Sequence, residues 1–63
     1  MKYAEVRGAI RAKFGTQEAF AEAMCMHPTT LSGKLQGRTD WTREEMELAC
    51  KLLELPVSVF FNL

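Results

Sequence analysis

Helix stop and start signals follow one another so closely along this 63-residue chain that only short helices fit between them. Gly15 can end a helix in the left-handed region, and Thr16 directly after it can cap the next one. Pro28 is suited to a first helical position, where its missing donor costs nothing, and Gly37 supplies another stop. Thr42-Arg43-Glu44-Glu45 places threonine at an N-cap and glutamate three residues on, the pattern of a capping box, and Pro56 closes the helix that follows. Between these marks the apolar residues recur at helical spacing: Tyr3, Val6, Ile10 and Phe14; Phe20 and Met24; Leu31 and Leu35; Met46, Ala49, Cys50 and Leu53. No alternating run or hairpin signal is present. The pattern predicts an all-α chain: helices over about 3–14, 17–24, 28–36 and 43–55, then a last helical turn capped by Ser58. That is a compact five-helix domain filling residues 1–63.

At 7.2 kDa the domain is small. Chains of this length bury only roughly 60% of the surface their unfolded form exposes, which leaves no room for a catalytic cleft in a separate domain. No apolar run reaches the roughly 18–20 residues needed to cross a bilayer, and the first residues lack the apolar core of a signal peptide, so a cytosolic protein without membrane association is expected. Cys25 and Cys50 are too few for a stapled secreted scaffold, and with His27 they lack the paired spacing of a metal site. Buried small thiols and a turn histidine are the expectation, with no metal, cofactor or small-molecule ligand. His27 has no acid near it in sequence and neither cysteine has an activating pattern, so the chain is not expected to be an enzyme.

The formal net charge is zero, but the charges come in blocks. Lys2, Arg7, Arg11 and Lys13 face a single acid, Glu5, in the first segment. Glu18 and Glu22 then reverse the sign, and Lys34, Arg38 and Arg43 reverse it again before an acidic last segment with Glu44, Glu45, Glu47 and Glu54. From Ala23 to Thr39 there is no acid at all. Such a distribution permits a face for a polyanion without requiring one.

Two short helices meet across a tight turn, the first with Ala21 at its centre and the second, anchored by Leu31 and Leu35, polar and uncharged on its outer side. This is a helix-turn-helix pattern over about 16–37. The residues carrying it are Thr16-Gln17-Glu18-Ala19-Phe20-Ala21-Glu22-Ala23-Met24 and Pro28-Thr29-Thr30-Leu31-Ser32-Gly33-Lys34-Leu35-Gln36-Gly37. With Gln17, Ala21, the Thr30-Leu31-Ser32 step and Gly37 at matching spacing, and Leu55 to Phe61 as a closing segment, the chain resembles the lambda-repressor-like (Cro/cI, XRE-type) DNA-binding domains of phage and prophage regulators along essentially its whole length.

The resemblance implies a role for each matching position. Base readout falls on His27, Pro28, Thr29, Thr30 and Gly33, at the start and outer face of the recognition helix. Contacts to the DNA backbone fall on Gln17, Ser32, Lys34, Arg38 and Arg43. Gln17, Arg38 and Arg43 also have a plain reading as solvated surface residues, and Trp41 reads best as a lid on the core beneath its loop. Three positions depart from the family. Cys25 stands where glycine usually makes the turn, which predicts strain of about 1 kcal/mol at a positive φ. His27 replaces a Ser or Thr cap. Gly33 replaces a long base-reading side chain, so shape, methyl contacts and half-site spacing would carry specificity.

The function implied is that of a small transcriptional regulator occluding a promoter in the bacterial cytosol or nucleoid. Its partners would be a double-stranded DNA operator with inverted-repeat half-sites and a second copy of the chain, paired weakly without DNA. The apolar end is the expected dimer surface: one of Phe60 and Phe61 folds into the core, and the other, with Val59 and Leu63, faces the partner. The alternative is a protein-interaction module of the same fold, antirepressor- or antitoxin-like, favoured by the zero net charge, Gly33 and the scarcity of base readers.

Overall fold

A computed structural model describes residues 3–60. Within them α1 spans Ala4–Phe14, α2 Gln17–Ala23, α3 Pro28–Leu35 and α4 Arg43–Leu53, followed by a 3-10 helix at Val57–Phe60. The described residues form no strand. The fifth element is therefore a 3-10 turn rather than an α-helix. It opens at Val57, with the Val59 N–H donating to the Pro56 carbonyl at 3.2 Å, one residue before the expected Ser58 cap.

Most helix ends sit where the local signals put them, closed by hydrogen bonds spanning a few residues; α4, expected to run up to Pro56, instead ends at Leu53, where Glu54 turns to φ 58°. Thr16 Oγ1 accepts from the Ala19 N–H at 3.1 Å at the head of α2. At the head of α4, Thr42 Oγ1 accepts from the Glu45 N–H at 3.1 Å, while Glu45 Oε1 accepts from the Thr42 N–H at 2.9 Å. These two bonds satisfy donors the helix itself leaves open. At the end of α3, Gly37 takes φ 85°, its N–H donates to the Lys34 carbonyl at 3.1 Å and the Arg38 N–H donates to the Gly33 carbonyl at 2.9 Å. That pair of bonds is a Schellman closure.

The same closure ends α2, with a cysteine in the glycine position. The Cys25 N–H donates to the Glu22 carbonyl and the Met26 N–H to the Ala21 carbonyl, at 3.0 and 2.9 Å, and Cys25 takes φ 58°. The strain expected from sequence at this turn is present. Cys25→Gly is expected to stabilise the fold by about 1 kcal/mol, which for a domain of this size raises Tm by about 4–8 °C. Cys25 is exposed, against the expectation of a buried thiol, so its removal costs little packing. A thermal melt of the variant that moved down instead would show that the thiol is held by contacts worth more than the backbone strain.

The core gathers one stripe from every element. Val6 and Ile10 of α1, Phe20 and Ala21 of α2, Leu31 and Leu35 of α3, and Ala49, Cys50 and Leu53 of α4 are all buried. Trp41 closes the side of the core beneath the α3–α4 loop, edge-on to Phe60 with ring centroids 4.8 Å apart. Tyr3 packs on both rings. Burial pushes the Cys50 thiol above its ordinary pKa, as expected for a thiol used as a small apolar group.

Phe60 is the phenylalanine that folds back, as one of the pair was expected to. Val59, expected to face a partner subunit, is buried beside it at 7% exposure, which corrects its assignment to a dimer surface. The 3-10 turn brings both side chains of this pair inward onto the core that α4 and Trp41 leave open. Phe61 and Leu63 lie outside the described residues. Among the described residues the exposed large apolar side chains are Leu48 and Val57.

Candidate nucleic-acid interface

Short helices, each anchored by two or three buried residues, fix which side chains α3 turns outward. Leu31 and Leu35 are buried, so His27, Pro28, Thr29 and Thr30 are exposed at the start of α3, while Ser32 and Gly33 are half-buried along it. His27 caps the helix: its Nδ1 accepts from the Thr29 N–H at 3.2 Å. An accepting Nδ1 leaves the proton of a neutral imidazole on Nε2, so the outward nitrogen is a donor. Expected to be a weaker cap than Ser or Thr, His27 nonetheless makes the bond, and its ring sits at the entrance to the polar face.

Two residues of that face are partly committed within the chain. The Gln36 side-chain amide donates to Ser32 Oγ at 3.1 Å, one turn apart along α3. Gly33 has room around it: a Cβ built there would meet only Thr39 Oγ1, at 3.8 Å, an ordinary contact. Packing within the chain therefore does not require glycine at this position.

The basic residues separate into those turned to solvent and those used inside the chain. Arg38 and Arg43 are exposed, the first within the loop between α3 and α4 and the second at the start of α4; Arg43 lies 3.7 Å from Glu47 one turn along α4. Lys34, expected at a DNA phosphate, is not available for one. It is 7% exposed, its Nζ donates to the Asp40 carbonyl at 2.9 Å, and it pairs with Glu45 Oε1 at 2.9 Å. The reason is its place on α3, one residue before Leu35 and on the buried side of the helix. From there the stem covers the core and the ammonium reaches the first turn of α4. Partial burial pushes the Glu45 carboxyl up, but hydrogen bonds from the Thr42 N–H and from Lys34 outweigh it and hold the carboxyl below the usual carboxylate range.

A cleft of about 550 Å³ runs between α1 and the start of α2, lined by Arg7, Arg11, Thr16 and Gln17 among others. Gln17 is half-buried at its edge. Arg7 also reaches across to α3, its Nη2 3.5 Å from the Leu35 carbonyl, where a cation suits the negative end of the helix. Sequence periodicity put Arg7 and Arg11 off the apolar face of α1. Only the packing of α1 against α2 sets them beside Gln17.

The family described as "Protein of unknown function (DUF739)" matches the sequence over residues 1–62. The chain belongs to that family. No curated protein and no solved structure matches it. In this DUF739 chain, among the described residues, no helix is long and apolar enough to cross a membrane and no three His, Cys, Asp or Glu side chains cluster as metal ligands.

Proposed function

We propose that this chain binds double-stranded DNA in a sequence-dependent way, as a lambda-repressor-like helix-turn-helix regulator that pairs on inverted half-sites and occludes a promoter. The observation that carries the proposal is the exposed start of α3: His27, Pro28, Thr29 and Thr30 form a neutral polar surface with no acid from Ala23 to Thr39, and the exposed Arg38 lies past the other end of the helix, in the loop to α4. Neutral hydroxyl, methyl and imidazole groups suit base edges in a major groove, and a flanking cation suits the phosphates on its rim. Arg38 and Arg43 are the backbone contacts, with Gln17 beside the basic cleft. Thr29 and Thr30 are suited to thymine methyls or single hydrogen bonds, and His27 offers its Nε2 proton.

Fluorescence anisotropy with a random 20-bp duplex at low and high salt tests the proposal. Wild-type binding in the micromolar range that weakens steeply with salt is expected. Arg38→Ala is expected to weaken binding to all duplexes alike and to lower the salt slope by about one, because a phosphate contact positions without specifying. No binding at tens of micromolar would overturn the proposal. It would favour instead a protein-interaction module, to which zero net charge and the internal use of Lys34 also lend support.

Gly33 adds a second test. Helix propensity favours alanine over glycine by about 1 kcal/mol, and the site has space for the methyl group. Gly33→Ala is therefore expected to raise stability, yet to weaken DNA binding if a base pair packs against the bare backbone. A variant gaining in both would show that no close approach occurs there. For pairing of two copies, one apolar surface among the described residues is Val57 beside Met46, flanked by Arg43 and Glu47.

A further inference from the structure

Lys34 presents a puzzle of energetics. Lys34 is 7% exposed while its partner Glu45 is half-buried, and an ion pair so placed gains little over an apolar side chain of similar volume. What such a pair does supply is a fixed geometry, since Nζ can satisfy its donors only where acceptors are held. Here the acceptors belong to the loop and to the helix beyond it: the Asp40 carbonyl and Glu45 Oε1, both at 2.9 Å. Glu45 Oε1 in turn accepts from the Thr42 N–H, so one carboxylate oxygen joins Lys34 to the capping box of α4.

The loop from Gln36 to Thr42 is thereby tied at both ends to the last turn of α3. On one side the Arg38 N–H donates to the Gly33 carbonyl at 2.9 Å; on the other Asp40 is held by Lys34. Arg38 carries the first of these ties on its own backbone and stands two residues before the second. Its side chain is exposed and makes no ion pair among the described residues. A free guanidinium on a tethered backbone is what a phosphate contact of fixed register requires, because the loop then pays little ordering entropy on binding.

We propose that Lys34 is a positioning residue: it touches no ligand, and it acts by holding the 36–42 loop so that Arg38 meets a phosphate in register with α3. This inference rests on the DNA-binding function proposed above. It differs from a direct phosphate contact by Lys34 in a way that a double-mutant cycle separates.

The test compares wild type, Lys34→Met, Arg38→Ala and the double variant by anisotropy with the same random 20-bp duplex over a salt series, with thermal melts and backbone amide exchange on each. Methionine keeps the length of the lysine stem without its charge. Lys34→Met is expected to stay folded, to exchange its Arg38 and Thr42 amides about tenfold faster, and to bind DNA no better than Arg38→Ala. The double variant is expected to bind no more weakly than either single one, with a salt slope lower than wild type by about one. Additive losses, with the slope lower by about two, would show direct contact and overturn the proposal; unchanged loop exchange or unchanged binding in Lys34→Met would do the same. If Lys34→Met fails to fold, Glu45→Gln takes its place in the cycle, keeping the acceptor for Thr42 while removing the charge. The same coupling to Arg38 is expected, and its absence counts against the proposal. Failure of the wild type itself to bind DNA sinks the function proposed above and this inference with it, whereas wild-type binding with additive losses sinks this inference alone.

Discussion

Phe60→Asp is expected to unfold the protein outright. Phe60 is 6% exposed and lies against Trp41 and Tyr3, so the change removes an aromatic side chain from the core, a loss of about 3–5 kcal/mol, and puts a carboxylate in its place with no cation to meet it. A domain of this length has about 3–9 kcal/mol in total. With the several kcal/mol that an unpaired buried carboxylate costs on top of the lost packing, the change matches or exceeds what is available. Far-UV circular dichroism and a urea titration check the prediction, with Phe60→Leu as the control: it keeps most of the buried volume and is expected to unfold cooperatively at a lower midpoint. A folded Phe60→Asp protein that had merely lost self-association would restore this residue to a subunit interface.

Ala21→Leu ranks next in expected effect. Ala21 is fully buried, α2 and α3 pack closely around it, and its carbonyl accepts the Met26 N–H that closes the turn between them. Three added carbons have no space to fill, so either α2 moves off α3 or the turn opens. Overpacking of this kind typically costs about 1–3 kcal/mol and occasionally more. At about 4–8 °C per kcal/mol, Tm is expected to fall by about 4–24 °C. Because the displaced element carries the proposed DNA face, anisotropy is expected to lose binding even below the new Tm. Ala23→Leu, at an exposed position of the same helix, is the control and is expected to leave both measurements nearly unchanged. A normal Tm for Ala21→Leu would mean that the two helices are not in close contact at this point.

The candidate site was legible in part. The exposed start of α3 and the solvent-facing Arg38 and Arg43 follow from Leu31 and Leu35 fixing the buried side of a helix whose ends are marked by Pro28 and Gly37. Lys34 was not legible in this way, because a lysine among polar neighbours carries no local sign of burial. Its state depends on the Asp40 carbonyl and on a glutamate of the next helix, which come within reach only when α3 and α4 pack. Arg7 and Arg11 are similar: their charge is plain in the sequence, while their place beside Gln17 is set by the angle at which α1 meets α2.

What the sequence by itself determined is where helices begin and end. Thr16, Pro28, Gly37 and the Thr42–Glu45 box act through hydrogen bonds and backbone preferences spanning at most a few residues, so no distant contact was needed to read them; the positive φ of Cys25 was expected only from the glycine that the resembling family carries at that turn. The tertiary structure alone decided which apolar residues of the closing segment turn inward. Val57, Val59 and Phe60 are alike in sequence as apolar side chains, yet Val57 is left exposed while Val59 and Phe60 are buried. The difference comes from a 3-10 turn laid over a gap bounded by Tyr3, Trp41 and α4. A gap whose walls come from separate parts of the chain exists only after the helices have assembled, and no local pattern encodes its shape.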